Sequence, residues 1–216
     1  MIKLFIKDLR LAINPIFFFL PILFGALFLI PQWPYFIVFM YFFFISVPNI
    51  FGVFNAQNDL GLSIMMPVSK KEIVRGRFLS IGFIELLYLI WGGVFAVIHN
   101  LIYGRESFLF DPNPALFGFA FLMFAVFNLC FFPMYYRTAY RYGIPTIIGV
   151  VVTIIYAAAV EFWVLFSPGA RAVFEGNSPE MRLAQWGVLA AGILLSVILH
   201  IPVLKLAERR FERVDV

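Results

Sequence analysis

Apolar side chains run almost unbroken along this chain, and its polar and turn-forming residues divide it into six hydrophobic stretches: 15–30, 35–54, 78–102, 115–134, 143–166 and 183–204. Several of these reach the roughly 20 residues needed to cross a hydrocarbon layer about 30 Å thick. Runs such as "FFFLPILFGALFLI" do not alternate between apolar and polar positions, which a membrane β-barrel requires. The pattern predicts an all-α polytopic membrane protein with six transmembrane helices, because a helix satisfies its own backbone hydrogen bonds in lipid. The "PQWP" turn between the first two stretches is a tight hairpin, with Trp33 suited to the interfacial aromatic belt.

Residues 1–14 read as a separate element. Lys3, Lys7, Arg10 and Asn14 recur at spacings of four, three and four, and Ile2, Phe5, Ile6, Leu9 and Ile13 cover another face. A helix with basic and apolar faces lies along the membrane surface. The segment 57–77, between the second and third stretches, carries a second set of signals. "SKKE" is a capping box with Ser69 as N-cap and Glu72 at the third helical position, and Val68 and Ile73 stand as a hydrophobic staple. A helix should therefore start at Lys70 and run into the third span. Pro67 ends whatever precedes it, and Asn58 or Asp59 can cap a short separate helix that exposes Leu60, Leu62, Met65 and Met66.

Composition agrees with a lipid environment: 63% of residues are hydrophobic and 13% charged, against roughly 45–50% and 25% in a soluble domain. The formal net charge of +4 acquires meaning from its placement. Thirteen of the lysines and arginines fall in the N-terminal segment, the second and fourth loops and the tail 205–216; Arg105, Arg171 and Arg182 fall on the other side. The positive-inside rule then makes both termini cytoplasmic. Such a distribution is topogenic and does not point to nucleic acid. The N-terminal charges before an apolar run imitate a signal peptide, but no small-residue cleavage site follows, so the segment is expected to be retained. Cys130 lies inside an apolar run and reads as a small hydrophobe, with no disulfide framework or thiolate cluster implied.

The stretch "LGLSIMMPVSKKEIVRGRFL" resembles the segment after the second span of ABC-2-type transporter permeases. There a leucine-rich helix, Pro-Val/Ile-Ser/Thr, a basic residue and Glu-Ile-Val precede the third span. "MIKLFIKDLRLA" is similar to that family's N-terminal interfacial helix, and the small-permease branch that includes exporters of phenol-soluble modulins is the nearest likeness. The resemblance implies a cytoplasmic coupling helix that docks on a separate ATPase subunit, which would hold the ATP and magnesium. On this chain the docking residues would be Asp59, Leu60, Leu62, Met65, Met66, Pro67, Lys70, Lys71 and Arg75. It also implies a second permease chain, a bacterial plasma-membrane location and a hydrophobic or amphipathic substrate, with a peptide favoured. Asn58 and Asp59 stand where such permeases often carry a glutamate and further charges.

No G-x-x-x-x-G-K-[ST], H-E-x-x-H or G-x-S-x-G motif occurs, so the chain itself carries no recognisable nucleotide-binding or hydrolytic motif and needs no cofactor of its own. The chemistry-bearing candidates are intramembrane polar groups, because an ionisable residue at mid-bilayer costs about 2.5–3.5 kcal/mol on insertion scales. Glu85 lies eight residues beyond Arg77, roughly 12 Å into the membrane, and Asn128 lies at a similar depth. The two can meet across the third and fourth spans, as structural glue or as part of a substrate path. Glu161 sits near the outer end of the fifth span, where partial hydration is expected. His99 and His200 close opposite ends of their spans and cannot share a metal. The reading is a permease subunit of an ATP-binding cassette exporter. The alternative is a self-sufficient secondary carrier or channel, with breaks at Pro21, Pro48 and Pro145.

Overall fold

A computed structural model of the chain describes residues 2–103, 109–138 and 141–214; Arg105 lies outside them. The described residues are helical, with no strand among them. A short helix α1 (Ile2–Lys7) continues as a π-helical turn, Asp8–Ala12. Next come α2 (Ile16–Gly25) with a 3-10 extension to Leu29, and α3 (Phe36–Tyr41), which joins α4 (Val47–Ala56) through a π turn at Phe42–Ser46. The rest of the chain forms α5 (Asp59–Met65), α6 (Lys70–Tyr103), α7 (Pro114–Thr138), α8 (Gly143–Phe166), α9 (Pro168–Glu175) and α10 (Pro179–Glu212).

Five helices among the described residues are long and apolar enough to cross a membrane: the continuous stretch Phe36–Ala56, α6, α7, α8 and α10. The first expected span is shorter, a ten-residue α-helix with a four-residue 3-10 tail. At about 1.5 Å per α-helical residue and about 2.0 Å per 3-10 residue it rises only roughly 23 Å. Its tightened end lies just before the Pro31–Pro34 turn, where Gln32 adopts a left-handed conformation. Gly25 lets α2 approach α6, for a Cβ there would stand 2.9 Å from the Phe95 ring and 3.3 Å from the Trp91 backbone.

Local chemistry sets the helix starts. Ser69 and Glu72 form the reciprocal box: the Glu72 N–H donates to the Ser69 hydroxyl at 3.2 Å, and the Ser69 N–H to the Glu72 carboxylate at 3.0 Å. Three other helices begin with a capping side chain followed by proline, whose missing N–H costs nothing there. Asn113 Oδ1 accepts from the N–H groups of Ala115 and Leu116, Ser167 Oγ from Ala170, and Ser178 Oγ from Met181. Asn58 turns α4 into α5 with φ of 49°, a conformation asparagine tolerates better than most residues.

Phenylalanines fill the interior rather than only coating the lipid face. Phe42, Phe43, Phe124 and Phe127 are buried, with Phe43 stacked on Phe127 at 4.2 Å and Phe42 edge-on to Phe124 at 5.5 Å. Trp33 is partly buried against this core. The tightest helix pair is α7 with α10. A Cβ on Gly118 would lie 2.5 Å from the Val188 carbonyl oxygen, and one on Gly192 would lie 2.3 Å from that of Gly118. Small residues at such a crossing let two backbones touch, which drives helix association in lipid. The outer faces of α8 and α10 expose Ile147, Ile155, Leu194 and Ile198, so they are apolar where no neighbour covers them.

Candidate functional site

Two polar constellations stand out in this apolar body: one where the N-terminal segment, α5, the start of α6 and the end of α10 converge, the other inside the helix bundle. The first centres on Arg77, which is 1% exposed. Its guanidinium lies over the Phe54 ring at 3.6 Å, pairs with Asp59 and stands 3.7 Å from Asp8. Lys7 completes the group, donating to Asp59 at 2.7 Å and to the Ser63 hydroxyl at 2.9 Å, with Asp8 at 3.2 Å. Two bases and two acids thus neutralise one another largely out of water, as buried charges require, with Lys7, its side chain 19% exposed, nearest to solvent. Burial pushes the Asp8 carboxyl above its ordinary value, against the pull of Arg77 and Lys7. Gly76 gives α1 its seat, since a Cβ there would meet that of Leu4 at 2.9 Å.

This clamp orients α5. Asp59 and Ser63, one turn apart, face the clamp and are buried, so Asp59 points inward and not to an outside partner. The opposite face carries Leu62, 59% exposed, and Met65, 86% exposed. Leu60 and Met66 are half-buried against the core, and Pro67 is exposed between α5 and α6. The basic residues do not rim α5; they reach across to the end of α10. Lys70 Nζ donates to the Val214 carbonyl at 2.7 Å, Lys71 pairs with Glu212 at 3.2 Å, and Arg75 Nε pairs with Glu208 at 2.6 Å. Arg77, which sequence reasoning counted only as a topogenic charge, is the centre of the site. Its acidic partners are 18 and 69 positions away, and only the four-residue repeat linking Asp59 to Ser63 hinted that α5 has a polar inner face.

The second constellation joins α6, α7 and α10. Asn128 Nδ2 donates to the two Glu85 carboxylate oxygens at 2.9 and 3.2 Å and stands 3.1 Å from His200 Nε2. The Ser196 hydroxyl lies 3.4 Å from His200 Nδ1. Glu85 and Asn128 are buried, and Asn128 Oδ1 has no hydrogen-bond partner among the described residues. The sequence placed His200 at a helix end, whereas the structure sets it at the level of Asn128. His99 is elsewhere, buried with its Nε2 3.3 Å from the Tyr35 hydroxyl. Glu161 joins neither group: half-buried, it accepts the Phe110 N–H at 3.2 Å. A double-mutant cycle of Glu85→Gln and Asn128→Ala should show a coupling of about 0.6–2 kcal/mol in unfolding experiments in micelles. Strict additivity would mean that the two side chains do not share this bond.

Residues 3–203 match the profile of a family described as ABC-2 family transporter protein. No curated protein and no solved structure matches the chain. The match covers nearly the whole length and takes in Arg77 with its acidic partners and the Glu85, Asn128 and His200 group, and the chain belongs to the ABC-2 transporter family.

Proposed function

We propose that this chain is the membrane-spanning permease subunit of an ATP-driven exporter, with ATP hydrolysed on a separate ATPase subunit. The family assignment supports a membrane component of a transporter, and such permeases work with an ATPase partner. The observation that carries the reading on this chain is α5: a short helix pinned through Asp59 and Ser63, with Leu62 and Met65 turned out on the charged end of the bundle. Exposed apolar side chains of that kind mark a contact surface, and methionine adapts to a partner that moves.

In this reading α2 with its 3-10 tail counts as a sixth, shortened span, α1 lies on the membrane surface, and both termini are cytoplasmic. A second permease chain covers part of the apolar face left open on α8 and α10. The transporter sits in a bacterial plasma membrane and moves a hydrophobic or amphipathic substrate, with a peptide favoured by the resemblance to small peptide exporters.

Co-purification of the ATPase from native membranes tests the docking. Leu62→Asp with Met65→Asp should reduce its recovery at least about tenfold, because two apolar anchors at an interface centre are each worth more than 1 kcal/mol. Equal recovery with wild-type and Asp-substituted chains would remove α5 as the docking element.

A further inference from the structure

A cavity of about 300 Å³ opens between α6, α7 and α10, and its walls are apolar except at one end. Phe78, Leu86 and Ile193 supply the greasy lining; Glu85, Ser196 and His200 supply the polar end. A groove of about 470 Å³ runs along the other side of Gly82 to Ile2 and Phe5 of α1, and it shares Phe78, Gly82 and Leu86 with the cavity. Nothing lies within 4 Å of where a Gly82 Cβ would stand, so the two spaces meet over that residue. An extended apolar chain can therefore lie along α1 with one end beside Glu85.

The polar end is unbalanced in a definite sense. Among the described residues Glu85 receives hydrogen bonds from one amide nitrogen, Asn128 Nδ2, and pairs with no lysine or arginine. A carboxylate has about four acceptor sites. Behind the lining, Asn128 Oδ1 is a buried acceptor without a partner among the described residues, and the Ser196 hydroxyl, which stands 3.4 Å from His200 Nδ1, keeps a further lone pair at the cavity wall. Such a pocket favours a compact cation with several donors, because a carboxyl group in lipid holds its charge only when a cation pairs with it. A primary ammonium has three donors and one charge.

We propose that this cavity binds the primary ammonium group of an amphiphilic substrate, with Glu85 as counter-ion and the apolar chain in the groove beside α1. The proposal rests on the exporter reading, and it narrows the substrate class to cationic amphiphiles. The ammonium can belong to a long-chain amine or to a lysine side chain of an amphipathic peptide, and the two sources are separable.

The test is binding to the full chain in lipid nanodiscs, without any ATPase, using two matched probe pairs. One pair is dodecylammonium and dodecanol; the other is an amphipathic peptide with a single lysine and its norleucine analogue, which lacks only the amine. The wild-type chain should prefer the amine member of at least one pair by about tenfold or more, the worth of one charge-assisted hydrogen bond. The pair that shows the preference identifies the source. Glu85→Gln should bring the two members within about twofold of each other. Gly82→Leu, whose Cβ would meet nothing within 4 Å, should weaken both members alike by filling the junction. Equal binding of both members in both pairs would overturn the proposal. So would a preference that survives Glu85→Gln, or unchanged amine binding by Gly82→Leu, a result that decides the matter even if Glu85→Gln does not fold. Loss of the amine preference leaves ATPase recovery by α5 untouched, so failure here and failure of the permease reading give different results.

Discussion

Replacing Arg77 by methionine should cost the folded chain about 3–5 kcal/mol, because removing one member of a buried ion cluster strands its partners without water. Asp8 and Asp59, 3% and 7% exposed, would then share Lys7 alone, and the Phe54 ring would lose the cation above it. The effect should spread along the chain, since the same guanidinium joins the N-terminal turn, α5 and α6. Unfolding in mixed micelles measures the loss, and protease sensitivity of residues 57–68 reports whether α5 comes free. Adding Asp59→Asn to Arg77→Met should recover part of the stability by removing one stranded charge. An Arg77→Met chain within 1 kcal/mol of wild type would mean that the cluster is hydrated and the clamp does not hold α5.

Gly192→Leu should cost about 3 kcal/mol or more, at or above the upper end of what overpacking a core usually costs. The obstacle is backbone: a Cβ at Gly192 would stand 2.3 Å from the Gly118 carbonyl oxygen, and no rotamer change can move that atom. α7 and α10 would have to separate, and with them Asn128 and His200, so the coupling between Glu85 and Asn128 should change as well. Two controls isolate the cause. Gly187→Leu on the same helix and Gly82→Leu on α6 each place a Cβ where nothing lies within 4 Å, and each should stay within about 0.5 kcal/mol of wild type. If Gly192→Leu behaves like the controls, the helices do not approach as described.

These two sites differ in how far they could be read from the chain. The capping box at Ser69 and Glu72 was legible because both halves of the bond lie within one helical turn. The helix start at Lys70 and the long apolar stretches were legible for the same reason, since hydropathy and capping depend on near neighbours. Glu85 and Asn128 stood out as candidates on depth alone, because each polar group in a span can be placed by counting residues from its end. His200 escaped that count: its expected position at a helix end ignored that α10 continues to Glu212. The first apolar stretch, 15–30, was placed within one residue of α2 and its 3-10 tail, Ile16–Leu29, although that helix is shorter than the five long enough to cross a membrane.

By itself the sequence determined that the chain is helical and membrane-embedded, where most of its helices begin, and which end of the bundle holds the positive charge. These follow from sums over composition and from bonds between residues a few positions apart. Only the tertiary structure decided that Arg77 is buried while Met65 is not, that Lys70, Lys71 and Arg75 serve the end of α10, and that Glu85, Asn128 and His200 face one another beside a cavity. Each of those facts depends on pairing residues from distant helices. In a chain where almost every face is apolar, hydrophobic periodicity does not say which faces meet. Steric fit at glycines such as Gly118 and Gly192, and the need to pair each buried charge, make that choice.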